Sequence, residues 1–438
     1  MNRITIIGFG RFGKTLHRLL KHDFDVLVYT RRTVLDKSIN QTHSLKEAYN
    51  NTTVMYAVPI AAFEKVIADH KEYVTDDHLL IDVLSVKMHP KAVFEKHFKG
   101  TKVQCLLTHP MFGPDSSADG FEGLPIAIDK FRTHEKAYTF WKSFFSKKKL
   151  QVIEMTAKEH DELAANSQGL THFIGRLLDE FGLKETPIDT IGARKLAEIR
   201  EQTCNDTWDL FTNLQQYNPY TKEMRLKLGD AYDNLYNKLI PQKVSPDHVT
   251  IGIQGGPGSF NEEAILYNLK RNNITKYEIV YLHTSENVLR ALHEGSIDQG
   301  QFAIHNSVGG MVTESVQAMA KYKFAIVEEY AIKIAHALMI KKGTTFHHID
   351  TIMTHPQVLA QCKETLFQKY PNLKQTSGEG ELIDHALVAE GLSRGTIPSN
   401  IATMGSKVLA KLYDLHIVED NLQDLKENYT SFLLVKRI

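Results

Sequence analysis

The sequence predicts a multidomain α/β protein, on three observations. Short β-branched runs alternate with helix-length segments over residues 1–150. The strand signal then stops, and long helical patterns run over residues 151–240. A second α/β pattern fills residues 248–438. Apolar strands separated by helices indicate a parallel sheet covered by helices. At 438 residues the chain exceeds the roughly 100–200 that one hydrophobic core supports.

The first region offers the strands ITIIGFG, DVLVYTRR, TTVMYAVP, HLLIDVLS, TKVQCLLTHP and LPIAID. KEHDELAANSQGLTHFIGRLLDEFG and LAEIREQTCNDTWDLFTNLQQY follow as helices, their apolar residues at helical spacing. IPQKVSPDH, with Pro241 and Pro246, reads as a linker. Beyond it VTIGIQGGPGSF, YEIVYLH, QGQFAIHNS, AIKIAHALMI and YTSFLLVKR read as strands.

Composition sets outer limits. Lys plus Arg equals Asp plus Glu at 52 each, which argues against a polyanion-binding surface spread over the whole protein, though not against a local basic patch, and no nucleic-acid partner is expected. No apolar run approaches the ~18–20 residues that cross a bilayer, and MNRITIIGFG carries no export signal. Cys105, Cys204 and Cys362 lie too far apart for a disulfide framework. The 21 histidines show no metal-binding spacing. A cytoplasmic protein without a membrane partner or metal is expected.

Gly8, Phe9, Gly10, Arg11, Phe12 and Gly13 form G-x-G-x-x-G between a strand and a helix, the context a dinucleotide needs. The first glycine permits the turn, the second admits the pyrophosphate, and the third lets helix and strand pack closely. This predicts a Rossmann domain over residues 1–150. After DVLVY come Thr30, Arg31 and Arg32 where an acid would hold a free ribose hydroxyl. Two guanidinium groups suit a 2′-phosphate, so NADP is expected rather than NAD.

Two strand-end loops should face the nicotinamide: DVLSVK, with Ser85 and Lys87, and THPMFGP, with His109. Abstracting hydride from a carbinol needs a base for the hydroxyl proton, and imidazole titrates nearest neutrality.

GFGRFG, DVLSVK, THPMFGP, SQGLTHFIGR and TCNDTWDLF together resemble the prephenate/arogenate dehydrogenase family, most closely its plant-like arogenate branch. The resemblance covers about the first 240 residues. It implies a Rossmann domain followed by a helical domain that makes a homodimer. The implied reaction is oxidative decarboxylation of a cyclohexadienyl acid, arogenate or prephenate, on the route to tyrosine. His109 matches the histidine that accepts the 4-hydroxyl proton, and Ser85 its hydrogen-bonding partner. His172 matches a substrate-contacting histidine, with Gln168 nearby. Two substrate carboxylates call for a guanidinium anchor, for which Arg194 and Arg176 are candidates. Asp206 is the acid best placed to read the ammonium of arogenate.

GGPGSF, AIHNSVGG, the IAHAL run, THPQVLAQC and ENYTSFLLV resemble the prephenate dehydratase domain, two α/β lobes like a type II periplasmic binding protein. Matching positions are Ser259, Asn306, Ser307, Gln357 and Thr430, the threonine assisting departure of the ring hydroxyl. Two positions depart from the family: His305 stands where it usually has glutamate, and Ser431 where it has arginine. The resemblance thus implies a second activity, decarboxylating dehydration of the same ring toward phenylalanine. The alternative is a degenerate domain that senses an aromatic acid.

Overall fold

The computed structural model describes residues 3–378 and 385–438. The chain divides into two compact units, Met1–Tyr232 and Asp233–Ile438.

The first unit holds an eight-stranded sheet: β1 (Arg3–Ile7), β2 (Asp25–Tyr29), β3 (Gln41–Thr42), β4 (Thr53–Tyr56), β5 (Leu79–Asp82), β6 (Gln104–Pro110), β7 (Pro125–Arg132) and β8 (Gln151–Glu154). Their order is β3-β2-β1-β4-β5-β6-β7-β8. The strands from β3 through β6 run parallel, whereas β7 pairs antiparallel with β6. A wholly parallel sheet is therefore corrected to a mixed one. β8 extends the sheet past residue 150, where the sequence shows no strand signal. It is an edge strand with both ends exposed, so no apolar run marks it. Strand order reverses between β1 and β4, the switch point where such folds bind ligands.

Two apolar layers flank this sheet. One gathers Ile4, Ile6, Leu16 and Leu20 with Trp141 and Phe145, the other Tyr56, Phe63, Phe94 and Leu107.

The helical region opens with Ala157–Ala164, passes through a π turn at Ala165–Gly169 and continues as Leu170–Glu180. A capping box of Thr156 and Glu159 fixes its start. The pattern LAEIREQTCNDTWDLFTNLQQY is two helices rather than one, Ile191–Cys204 and Trp208–Tyr217. They break because the Thr207 hydroxyl accepts from Leu210 N at 3.2 Å, an N-cap that starts a new helix. Gly175 lets Leu170–Glu180 cross Ile191–Cys204 closely, since a Cβ there would lie 1.9 Å from Thr203 Oγ1.

The second unit is two-lobed. The first lobe contains β9 (Val249–Ile253), β10 (Tyr277–Tyr281), β11 (Gln299–Asn306), β12 (Gly310–Met311), β13 (Ala325–Lys333) and, from far along the chain, β19 (Tyr429–Lys436). The second contains β14 (Ala337–Lys341), β15 (Thr351–Met353), β16 (Lys374–Thr376), β17 (Ile401–Gly405) and β18 (Leu415–Glu419). Their orders are β10-β9-β11-β19-β13, with β12 on β11, and β16-β15-β17-β14-β18. The run AIKIAHALMI is not one strand. It leaves the first sheet as β13, crosses at Ile334–Ala335–His336 and enters the second as β14. The return segment pairs with this crossing, through Ile334 N to Asn428 O at 2.7 Å and Leu422 N to His336 O at 2.9 Å.

Candidate active sites

β1 ends in Gly8, whose φ of +97° is a left-handed conformation that favours glycine. A Cβ at Gly8 would lie 2.4 Å from Ala57 O, and one at Gly13 would lie 2.4 Å from Gly8 O. At Gly10 a Cβ would meet nothing within 4 Å, which leaves open space at the N-terminus of helix Arg11–Leu20. That helix has no side-chain N-cap, so its first N–H groups are available to an anion. A dinucleotide pyrophosphate fits this cradle.

A cleft of about 2210 Å³ continues from it, lined by Gly8, Phe9, Gly10, Tyr29, Thr30, Arg31, Arg32 and His70 among others. Arg31 and Arg32 are exposed, and neither makes an ion pair among the described residues. The turn is ordered beneath them, because Thr30 Oγ1 donates to Arg32 O at 3.0 Å and His43 Nδ1 meets Thr30 O at 2.6 Å. Arg11, Phe12 and Gly13 do not line this cleft. Arg11 binds Asp206 Oδ1 at 3.2 Å and Asp115 Oδ2 at 3.0 Å, and Phe12 packs on Phe112.

His109 lies outside the lining of that cleft, on the same carboxyl edge of the sheet, at the end of β6 three strands from β1. It is 2% exposed. Burial and the adjacent His160 and Lys87 hold its pKa well below the ordinary imidazole value, so the ring is neutral. Its Nδ1 lies 2.8 Å from His160 Nε2, and its Nε2 has no hydrogen-bond partner among the described residues. The expected partnership with Ser85 is corrected: among the described residues Ser85 makes no side-chain hydrogen bond, and His160 takes that place. His160 Nδ1 in turn meets Asp161 Oδ1 at 2.8 Å. Asp161 also accepts from Lys87 N at 2.8 Å and Met88 N at 2.9 Å, at the start of helix Met88–Phe98.

Lys87 is buried rather than facing a ligand. Its ammonium pairs with the buried Asp82 and donates to Thr108 O at 2.5 Å.

Among the described residues the helical region supplies three sealed polar atoms without partners, Gln168 Oε1 in the π turn and His172 Nδ1 and Arg176 Nε just after it. Burial lowers the His172 pKa, with Asp206 and Arg176 as its charged neighbours. Unpaired buried polar atoms at and just after a π turn mark a place built for a ligand. Arg176 stacks over Trp208 at 5.4 Å and donates to Asp206 O at 2.6 Å. Arg194 is not brought to this group. It is exposed in the first turn of Ile191–Cys204, so Arg176 is the guanidinium beside His172. Asp206 does reach the site, its carboxylate already tied to Arg11.

In the second unit the β11–β19 register places Asn306 opposite Thr430. Asn306 Nδ2 donates to Thr430 Oγ1 at 2.8 Å and to Asn428 Oδ1 at 2.9 Å. The Thr430 hydroxyl proton is thereby left to donate elsewhere. Ser307 Oγ donates to Tyr429 O at 3.1 Å and anchors the strand end. Ser259 caps helix Phe260–Arg271, so its hydroxyl has a structural task. Gln357 is exposed and outside the network, whereas Gln361, one turn on, meets His336 Nε2 at 2.8 Å and Asn428 Nδ2 at 3.2 Å. Gln361, His336 and Asn428 all lie in the motifs above, but nothing in one sequence marks them apart from their neighbours. His305 sits directly across from Ser431. The two departures from the family therefore occupy one cross-strand pair, and their joint change leaves no single charge stranded.

Three family profiles match the chain. The profile described as "Prephenate dehydrogenase, nucleotide-binding domain" covers residues 18–154, and "Prephenate dehydratase" covers 251–438. "TYRAAT1-like, C-terminal domain" covers 177–248. The chain is 32% identical to "Arogenate dehydrogenase 2, chloroplastic" of Arabidopsis thaliana over 252 residues, 54% of this chain and 70% of that one. It is 30% identical to "Probable arogenate/prephenate dehydrogenase" of Methanocaldococcus jannaschii over 50% of this chain and 53% of that one. "Arogenate dehydratase/prephenate dehydratase 2, chloroplastic" of Arabidopsis thaliana is 25% identical over 46% of this chain and 50% of that one. The chain thus spans about half the length of the latter two.

Proposed function

Because the chain belongs to the prephenate/arogenate dehydrogenase family and runs on into a prephenate dehydratase domain, we propose that it performs both reactions on one branch-point ring. The first unit would oxidise and decarboxylate arogenate or prephenate, and the second would dehydrate and decarboxylate prephenate or arogenate. The observation that carries the reading is His109, buried and neutral at the sheet's carboxyl edge with Nε2 unpartnered.

When bound, a nicotinamide dinucleotide supplies the hydride acceptor. His109 Nε2 takes the proton of the C4 hydroxyl as the C4–H pair leaves. Loss of the ring carboxylate as CO2 pushes electrons back onto that oxygen. The imidazolium returns the proton there as the ring becomes aromatic. Arg176 and His172 are the side chains that hold the substrate's anionic groups. In the second unit the Thr430 hydroxyl, oriented by Asn306, protonates the C4 hydroxyl, which leaves as water while the C1 carboxylate leaves as CO2 and its electron pair completes the aromatic ring; Thr430 regains its proton from solvent.

NADP is the expected cofactor, supported by the unpaired Arg31 and Arg32 and by the lack of an acid at Thr30. A homodimer is part of the reading, supported by the exposed Phe181, Ile191, Trp208 and Leu226 of the helical region. A cytoplasmic setting is likewise proposed, and three free cysteines suit a reducing compartment.

The test uses the full chain with arogenate and prephenate, each with NADP and NAD. His109→Asn should lower dehydrogenase kcat by about 10²-fold or more and leave dehydration intact. Thr430→Val should do the reverse. Arg31→Ala with Arg32→Ala should raise KM for NADP far more than for NAD. Full dehydrogenase turnover by the His109 variant would sink the reading, and wild-type chain without dehydratase turnover would remove the second activity.

A further inference from the structure

We propose that His160 and Asp161 are positioning residues that fix the tautomer of His109 and so aim its basic nitrogen at the substrate. The proposal rests on the role given to His109 above and concerns how that role is prepared.

One chain of contacts links Asp161 to His160 and His160 to His109. An ionised carboxylate only accepts hydrogen bonds. Both Asp161 oxygens already accept from backbone donors, Oδ1 from Lys87 N at 2.8 Å and Oδ2 from Met88 N at 2.9 Å. The proton between Asp161 Oδ1 and His160 Nδ1, 2.8 Å apart, therefore belongs to His160. A neutral imidazole protonated at Nδ1 has a lone pair at Nε2. His160 Nε2 can then only accept, so the proton in its 2.8 Å contact belongs to His109 Nδ1. The lone pair of His109 must lie on Nε2, the nitrogen with no partner among the described residues. Each link excludes the other tautomer of the next ring.

Both residues are rigidly placed. His160 is 3% exposed and Asp161 is fully buried, in the helix whose start is fixed by Thr156 and Glu159. Asp129 Oδ2 accepts from Ala157 N at 2.6 Å, and Asn218 Nδ2 donates to Asp161 O at 2.8 Å. The charged groups acting on the rings are Asp161, beside His160 on its helix, and Lys87 just past the β5 end, which in turn faces Asp82, Asp161 and Asp129. When His109 takes the substrate proton, the new positive charge is stabilised through His160 by the carboxylate, and no proton need pass to Asp161.

The experiment has a spectroscopic arm and a kinetic arm. Histidine-selective ¹⁵N NMR of the ligand-free full chain should show both His109 and His160 protonated at Nδ1. In Asp161→Asn the amide cannot accept from all three donors, and the tautomers should become mixed. With substrate, His160→Ala and Asp161→Asn should lower kcat about 10²-fold or more, with KM and dinucleotide affinity within about 2-fold of wild type. His160→Gln, whose amide oxygen can accept from His109 Nδ1, should recover about 10-fold over His160→Ala. A wild-type spectrum with His109 protonated at Nε2 would overturn the proposal, even if the variants fail to fold. So would unchanged kcat in both variants. If the wild-type chain turns over neither acid, the functional reading fails, while the ligand-free spectrum still decides the tautomer.

Discussion

A lysine and an aspartate sealed together under the site show how residue-scale electrostatics shape it. Lys87 is 2% exposed and Asp82 is fully buried. Burial pushes the Asp82 carboxyl up to about 6, against the pull of Lys87, and desolvation lowers the lysine. Both groups tie the β5 end to Thr108, the residue before His109, since Thr108 Oγ1 donates to Asp82 O at 2.6 Å. Removing one partner leaves an unpaired charge in the interior. Asp82→Asn should therefore cost about 3–5 kcal/mol in urea unfolding, and adding Lys87→Met should restore much of it. A single variant within about 0.5 kcal/mol of wild type would show the pair to be dispensable. At this scale the glycine motif is fully legible, because Gly8, Gly10 and Gly13 obey local geometry. His160 is not, since it meets His109 from 51 positions away, and within KEHDELAA only packing decides which face turns inward.

Elements whose pattern is one continuous apolar run were readable where the run stays in one sheet. ITIIGFG and TKVQCLLTHP become β1 and β6. AIKIAHALMI misleads because it joins the end of a half-exposed strand to a buried one, and only the crossing at His336 shows that they serve different sheets. The helical elements present the opposite case, apolar where no neighbour covers them. Phe181 is 78% exposed, Ile191 73% and Leu226 61%. A second copy of the chain is the proposed cover. Sedimentation velocity at micromolar concentration should give a dimer for wild type and a monomer for a variant carrying Phe181→Glu, Ile191→Glu and Leu226→Glu. A monomeric wild type would refute this cover.

For the whole molecule, buried neutral histidines set the response to acid. Burial is the leading cause that lowers the pKa of His109, His160, His172 and His336 below the ordinary value. Well above pH 6.5 these rings are neutral folded or unfolded, and they contribute no pH dependence. Below it the unfolded chain takes protons that the folded one refuses, so stability falls, by up to about 1.4 kcal/mol per pH unit for each ring. Asp82 opposes this between about 6 and its ordinary value, because its folded carboxyl binds a proton earlier. Four rings outweigh one carboxyl. Tm should fall from pH 7.5 to 5.5, and a rise over that interval would contradict the account. The division into two α/β regions was legible at this scale because composition shifts mark it. The tie from Arg11 to Asp115 and Asp206 was not, as it joins loops 104 and 195 positions apart.

The position of β19 has a consequence for how the protein is made. Its eight residues pair on both sides, with β11 and with β13, so they lie inside their sheet. Every strand of the second lobe lies between residues 337 and 419. On the ribosome that inner lobe has all its strands first, while β11 and β13 wait as two open edges. A nascent chain halted just short of residue 429 would therefore expose a sticky gap where β19 belongs, and Thr430 would be missing with it.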